Sequence, residues 1–172
     1  MVETARYEVT RRVEEMEIRS YNKLILATVS GIDGDDPFDI LSKYISGNNK
    51  GRNKISMTTP VITPERIEMT TPVINKADSM SFVIPSKYTT ENVPEPNDLR
   101  VKVHEEPARK LAVIRFRGYA GEKSVEKHTS RLLSALAQNG IEIIGQPVLM
   151  RYNPPWTPGF MRRNEVGVEI KE

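Results

Sequence analysis

No cysteine occurs in this 172-residue chain. That excludes disulfides, thiolate metal sites, cysteine nucleophiles and covalent cofactor attachment through a C-x-x-C-H motif. Histidine is nearly as scarce: His104 and His128 are the only two, and they form neither an H-x-H nor an H-x-x-x-H pair. No G-x-S-x-G, P-loop or G-x-G-x-x-G stretch is present. The acidic pairs Glu14-Glu15 and Glu105-Glu106 sit in strand-like segments, where adjacent side chains point to opposite faces and cannot form an acid/base dyad. Apolar runs stay well short of the roughly 20 residues of a spanning helix, and "MVETARYEVTRR" lacks the apolar core of a signal peptide. The net charge is +2, too small for a global field toward nucleic acid or an anionic membrane. These absences predict a cytoplasmic monomer with no catalytic constellation, no nucleic-acid partner and no membrane partner.

What is present is an alternation of strand-like runs with two helix-like segments. "RYEVTRRVEEMEIRSY" reads as one or two strands with Tyr7, Val9, Ile18 and Tyr21 inward. "KLILATVSG" is a strand, ended by Gly31 and Gly34. Asp36 then suits an N-cap, Pro37 the first helical position and Asp39 the first turn. Phe38, Leu41 and Ile45 fall on one face of the short helix that follows, and Gly47 stops it. "MTTPVI" occurs at 57–62 and again at 69–74; Pro60 and Pro72 predict edge strands or a hairpin turning at "TPER". "SMSFVIP", "LRVKVHEEP" and "KLAVIRFRG" are further strands. A helix over roughly 122–139 follows, with Val125, Leu132, Leu133 and Leu136 as its buried stripe. His128 borders that stripe and reads as half-buried and structural; His104 alternates with Val101 and Val103 and points outward.

"KLILATVSG" and "KLAVIRFRG" each precede a helix, which predicts an internal duplication. The whole chain, 1–172, then reads as one domain built from related halves at about 5–85 and 99–170. "QPVLMRYN" and "EVGVEI" form the last two strands. About eight mostly antiparallel strands and two helices predict an α+β barrel with the helices outside.

Between the last two strands lies "YNPPWTPGFMRRNE", with three prolines, a glycine and the single tryptophan. Burying one Trp removes about 150–250 Å² from water, worth roughly 4–6 kcal/mol as an upper bound. Two readings fit. Either the loop folds back over the protein as a lid, or it forms one wall of a cleft for a flat apolar ligand. Charge bears on the second: residues 40–64 carry Lys43, Lys50, Arg52 and Lys54 and no acid, and Arg151, Arg162 and Arg163 precede Glu165. An apolar slot with such a rim suits a planar anion, because arginine grips carboxylates with two donors.

"DPFDILSKYISGNN", "KISMTTPV", "MSFVIPSKY" and above all "YNPPWTPGFMRRNEVGVEI" resemble the SOUL/haem-binding protein family, over about residues 5–170. The resemblance implies a duplicated, distorted eight-stranded barrel, an architecture similar to the effector-binding domains of some drug-responsive regulators. It also implies haem or another tetrapyrrole as small-molecule ligand. The implied site lies between the first helix, at Phe38, Leu41, Lys43, Tyr44 and Ile45, and the loop carrying Pro154, Pro155, Trp156, Thr157, Pro158, Phe160, Arg162 and Arg163. Thr157 stands where some relatives carry a basic residue, and no histidine here matches the axial ligand proposed in one branch. Weak or absent iron ligation follows, with Met57, Met161, Tyr44 and His128 as fallback ligands. Three functions remain in competition: tetrapyrrole carrier, buffer or sensor; an effector-sensing or protein-interaction module for other amphipathic molecules; and an enzyme, which would need a buried glutamate at the cleft.

Overall fold

The computed structural model describes residues 3–30, 35–64 and 79–171. In chain order the elements are β1 (Glu3–Thr4), β2 (Tyr7–Val13), β3 (Met16–Tyr21), β4 (Leu24–Val29), α1 (Pro37–Ile45), β5 (Thr58–Pro64), β6 (Met80–Val83), β7 (Lys102–Glu106), β8 (Arg109–Arg117), α2 (Glu122–Gln138), β9 (Glu142–Ile143), β10 (Val148–Arg151) and β11 (Arg163–Lys171). The fold is α+β with two helices and mostly antiparallel strands. The two-residue pieces β1 and β9 are too short to leave a periodic signal, and they raise the strand count above the eight expected. Gly31, Gly34, the second "MTTPVI" copy and Glu65-Arg66 of the "TPER" turn lie outside the described residues. No helix among the described residues is long and apolar enough to cross a membrane.

Two compact units form. One comprises residues 1–5 and 23–107, the other residues 6–22 and 108–172. In the first unit the strands run β5-β6-β4-β7, with β1 parallel to β5. Ala27, Val29, Phe82 and Val101 pack with Ile40, Leu41 and Tyr44 of α1 into its core. Asp36 caps that helix, its side chain accepting from Phe38 N at 3.0 Å, with Pro37 in the first turn. Gly47 takes φ +122° just past the C-terminus, a conformation that disfavours any side chain. The "MTTPVI" strand is not an edge: β5 lies between β1 and β6. Pro60 is tolerated because the ladder shifts register between Thr58 and Val61, which spares the amide that proline lacks.

The second unit runs β2-β3-β8-β11-β10, with β9 also on β11. Its core joins Val125, Leu132 and Leu136 of α2 to Ile18, Ala112, Ile114, Phe116, Val166, Val168 and Ile170. Leu133 is only half-buried at the margin of the stripe. Among the described residues neither unit's sheet closes on itself: β7 ends one and β2 ends the other. The pairing among the described residues therefore gives a large, mostly antiparallel sheet that is not closed into the expected barrel.

The units share one order. β4 is followed by α1, and β8 by α2; β4 lies between β6 and β7, while β8 lies between β11 and β3. Yet β3 directly precedes β4 in the chain and pairs with β8, whereas β7 directly precedes β8 and pairs with β4. Each unit is completed by a strand adjoining the other in sequence.

Candidate functional site

The loop from Tyr152 to Arg162 spans the β10–β11 hairpin, whose register pairs Arg151 with Asn164 and Val148 with Gly167. Its prolines fix three φ angles, and backbone bonds fix much of the rest. Thr157 N donates to Pro154 O at 3.1 Å, Met161 N to Pro158 O at 3.0 Å and Arg162 N to Gly159 O at 3.0 Å. At the root, Arg163 N donates to Asn153 Oδ1, and Gly118 N donates to Gly159 O at 3.0 Å. Gly159 lies against the Tyr119 ring, where a Cβ would come within 2.7 Å of a ring carbon.

Arg162 holds this loop from inside. Its Nε donates to Thr157 O at 2.8 Å, a terminal nitrogen donates to Pro155 O, and the guanidinium stacks 4.6 Å from the Tyr119 ring centre. The sequence reads Arg162 as a ligand's counter-charge; the structure also gives it a structural role. The apolar side chains, by contrast, face solvent. Trp156 is 83% exposed, Phe160 74%, Met161 61% and neighbouring Tyr119 66%, with Pro154, Pro155 and Pro158 also exposed. Of the two readings of this segment, the lid is not observed, since the indole is not packed inside the protein.

The helix residues distribute differently. Leu41 and Tyr44 are buried in the first unit's own core, and the Tyr44 hydroxyl donates to Pro94 O at 2.6 Å. Burial pushes that phenol up to about 12. Phe38 is 40% exposed with its edge against Phe82, and Ile45 packs at the core margin. Lys43 pairs with Asp39 at 2.9 Å and Lys50 with Glu95 at 2.9 Å. Acids outside the 40–64 window thus offset part of the basic excess seen in sequence.

Beneath the loop lies a charged cluster that sequence reading missed. On β11, Val166, Val168 and Ile170 turn toward α2, so Glu165 turns to the opposite face with Arg19 of β3 and Arg115 of β8. Arg19 and Glu165 are 1% and 0% exposed. Arg19 donates to both Glu165 oxygens, at 2.9 and 2.6 Å, and also to Glu17 and to the Tyr21 hydroxyl. Its guanidinium lies 4.0 Å over the Tyr7 ring. Arg163 donates to Glu165 at 3.2 Å and to the Tyr7 hydroxyl at 3.0 Å, and stacks 4.1 Å over Tyr152. The Tyr152 hydroxyl is buried beside the same carboxylate without completing a hydrogen bond.

Burial alone would raise the Glu165 pKa, but the bonds and charge of Arg19 outweigh it and hold the carboxyl below its ordinary value. Burial also opposes the charge on Arg19, and its pairing with Glu165 overrides that. This buried glutamate is a poor proton acceptor at neutral pH, unlike the base an enzyme would need. No sequence signal marks it, because the β3–β8 pairing that brings Arg19 near β11 is non-local.

The metal-ligating candidates are largely engaged. The His128 ring stacks on Phe116 with centres 4.1 Å apart and its Nδ1 contacts Ser124 O at 2.6 Å. His104 is exposed and bonds Thr28 at 3.0 Å, while Met57 packs on the first unit's core. Of the four fallback ligands, Met161 is the largely exposed one. Among the described residues no group of three His, Cys, Asp or Glu side chains could hold a metal ion.

The C-terminal domain of EcmrR shares the fold, with TM-score 0.61 at 12% identity, covering 96% of this chain and 98% of that one. A Listeria innocua protein described as a hydrolase does so with TM-score 0.59 at 11% identity, 94% of each chain being covered. In sequence, Heme-binding protein 1 of Xenopus laevis is 30% identical, with 87% of this chain and 80% of that protein covered. Its Xenopus tropicalis counterpart is 29% identical over the same shares. Residues 2–169 match the family model described as SOUL heme-binding protein. The chain belongs to the SOUL heme-binding protein family.

Proposed function

We propose that this protein binds haem or another tetrapyrrole without catalysing a reaction, as a cytoplasmic carrier, buffer or sensor acting as a monomer. One observation carries the reading: Trp156 and Phe160 stand in solvent on a loop braced by its own hydrogen bonds. A flat macrocycle laid on these rings removes apolar area from water, and little ordering entropy is lost because the loop is already fixed. Propionates meet the arginines of the loop and its root, Arg162, Arg163 and exposed Arg117, through charge-assisted bonds. The residues fit a macrocycle and its carboxylates better than an iron ligand, since Met161 is the only exposed donor of the fallback set. The 172-residue chain reads as one family domain of two related halves, a view favoured by the shared strand–helix order.

Titrating haem into the protein and into Trp156→Ala tests this. Saturable binding that weakens about tenfold or more in the variant is expected, from loss of a buried aromatic contact. Equal, non-saturating spectra for both would reject it. Chemical-shift changes on adding haem should cluster at 153–163; changes confined to 38–45 would move the site to the helix. The second reading, an effector-sensing module for other amphipathic molecules, is favoured by the same exposed rings. Preference for planar cations over porphyrin carboxylates would select it, because the loop's arginines repel cations.

A further inference from the structure

We propose that the same loop tip docks onto anionic lipid surfaces, with Trp156, Phe160 and Met161 entering the interfacial layer and the surrounding arginines meeting the headgroups. The proposal does not depend on tetrapyrrole binding.

The net charge of +2 argues against a global attraction to membranes, but charge is unevenly placed. Residues 107–121 and 143–164 together hold seven basic residues and no acidic one. Both segments belong to the second unit. Antiparallel pairing sets Arg117 beside Arg163 and Arg151 beside Asn164, at the loop end of the sheet. Arg117 and Arg151 are exposed there, and Arg115 is half exposed. A ring of cations around three large apolar side chains is the composition that binds at a headgroup boundary.

The backbone is suited to the same task. A polar group entering an apolar layer costs free energy unless it is already bonded. Here the carbonyls of Pro154, Pro155, Thr157, Pro158 and Gly159 all accept bonds from within the unit. Inserting the tip therefore strands few polar groups. A protein partner fits less well. The three side chains project from a tight turn rather than lining a groove, and the turn offers no strand ladder to extend. Tryptophan has a known preference for the bilayer interface.

Trp156 is the only tryptophan, so its emission reports on the tip alone. The haem-free 172-residue chain is mixed with phosphatidylcholine vesicles, with and without phosphatidylglycerol. A blue shift and co-flotation are expected only with the anionic vesicles, both fading as salt screens the charges. Phe160→Ala with Met161→Ala should lower the partition coefficient about tenfold or more, and Arg117→Glu should lower it several-fold. Lys127→Glu, the same charge change on exposed α2, should leave partitioning as in the parent. Unchanged urea midpoints would show that each variant is folded. No response to anionic vesicles, or equal losses from Arg117→Glu and Lys127→Glu, would overturn the proposal. A concentration-dependent blue shift without lipid would overturn it in favour of a second copy of the chain. Haem titration in lipid-free buffer fails or succeeds separately, so the two readings cannot be confused.

Discussion

Arg19 and Glu165 are each other's condition for being buried. Two charges with almost no solvent contact are tolerated because the guanidinium donates twice to the carboxylate and again to Glu17 and Tyr21. Glu165→Gln leaves the buried arginine only the partly exposed Glu17 as counter-charge, and a loss of about 3 kcal/mol in urea unfolding is expected. Replacing both by apolar residues, Arg19→Met with Glu165→Leu, should recover most of that loss, since the desolvation cost disappears with the charges. The pH dependence has a definite sign. A carboxyl with a folded pKa below its unfolded one stabilises the fold above the unfolded value, and the contribution fades as pH falls through the depressed folded value. Stability should therefore drop on acidification below about pH 4, with a shallower drop in Glu165→Gln. Equal slopes for both proteins would mean the pair does not titrate as described.

At the scale of elements, the loop and the two helices respond to different changes. Gly159→Ala places a methyl against the Tyr119 ring. That ring is exposed and can shift at the expense of its stacking on Arg162, so the cost in global stability should stay below about 1 kcal/mol. The brace between Gly159 and Tyr119 is lost, however. Amide exchange at Gly118 and Met161 should rise, and Trp156 anisotropy should fall. Unchanged exchange would show that Arg162 alone holds the loop. In α1 the Asp36 side chain satisfies one helix-end amide, and Asp36→Ala should cost about 0.5–2 kcal/mol in thermal unfolding.

Much at this scale was legible in the residues. Asp36-Pro37 marks a helix start, Gly47 its end, and the 3.6-residue spacing of Val125, Leu132 and Leu136 gives the buried stripe of α2. Local rules set these features, so local residues reveal them. The "MTTPVI" segment misleads because proline argues for an edge, while the register shift that spares its missing amide is not written in the residue types. Ile18 and Tyr21 are both inward as expected, but on opposite faces of β3: Ile18 faces α2, and Tyr21 shares its face with Arg19.

For the whole molecule, the division of labour between strands is the least readable feature. "KLILATVSG" and "KLAVIRFRG" announce two strand–helix units, and β4 and β8 do hold matching places. Which strand flanks each is decided by pairings 74 to 98 residues apart, which no window of sequence reports. A consequence can be tested by deletion. Removing residues 1–22 takes only β1 from the first unit, but it takes β2, β3 and Arg19 from the second. Hydrogen exchange should then show protection lost in β8 and β11, far along the chain, before β4 and β6 next to the cut. Losses concentrated in β4 would contradict the exchanged pairing.

That exchange also bears on how the chain is made. The β2–β3 hairpin is made before β11, and Glu165 lies 146 residues after Arg19. At about 5–20 residues per second, about 7–29 s separate their synthesis. Through that interval Arg19 has no carboxylate from β11, and for about the first two-thirds of it β3 has no complete β8 to lie against. Residues 23–107 can meanwhile collapse as they emerge. The unit bearing the tryptophan loop is thus assembled only once β11 has been made, so its arginine-rich β2–β3 hairpin waits unmatched while the intervening residues are added.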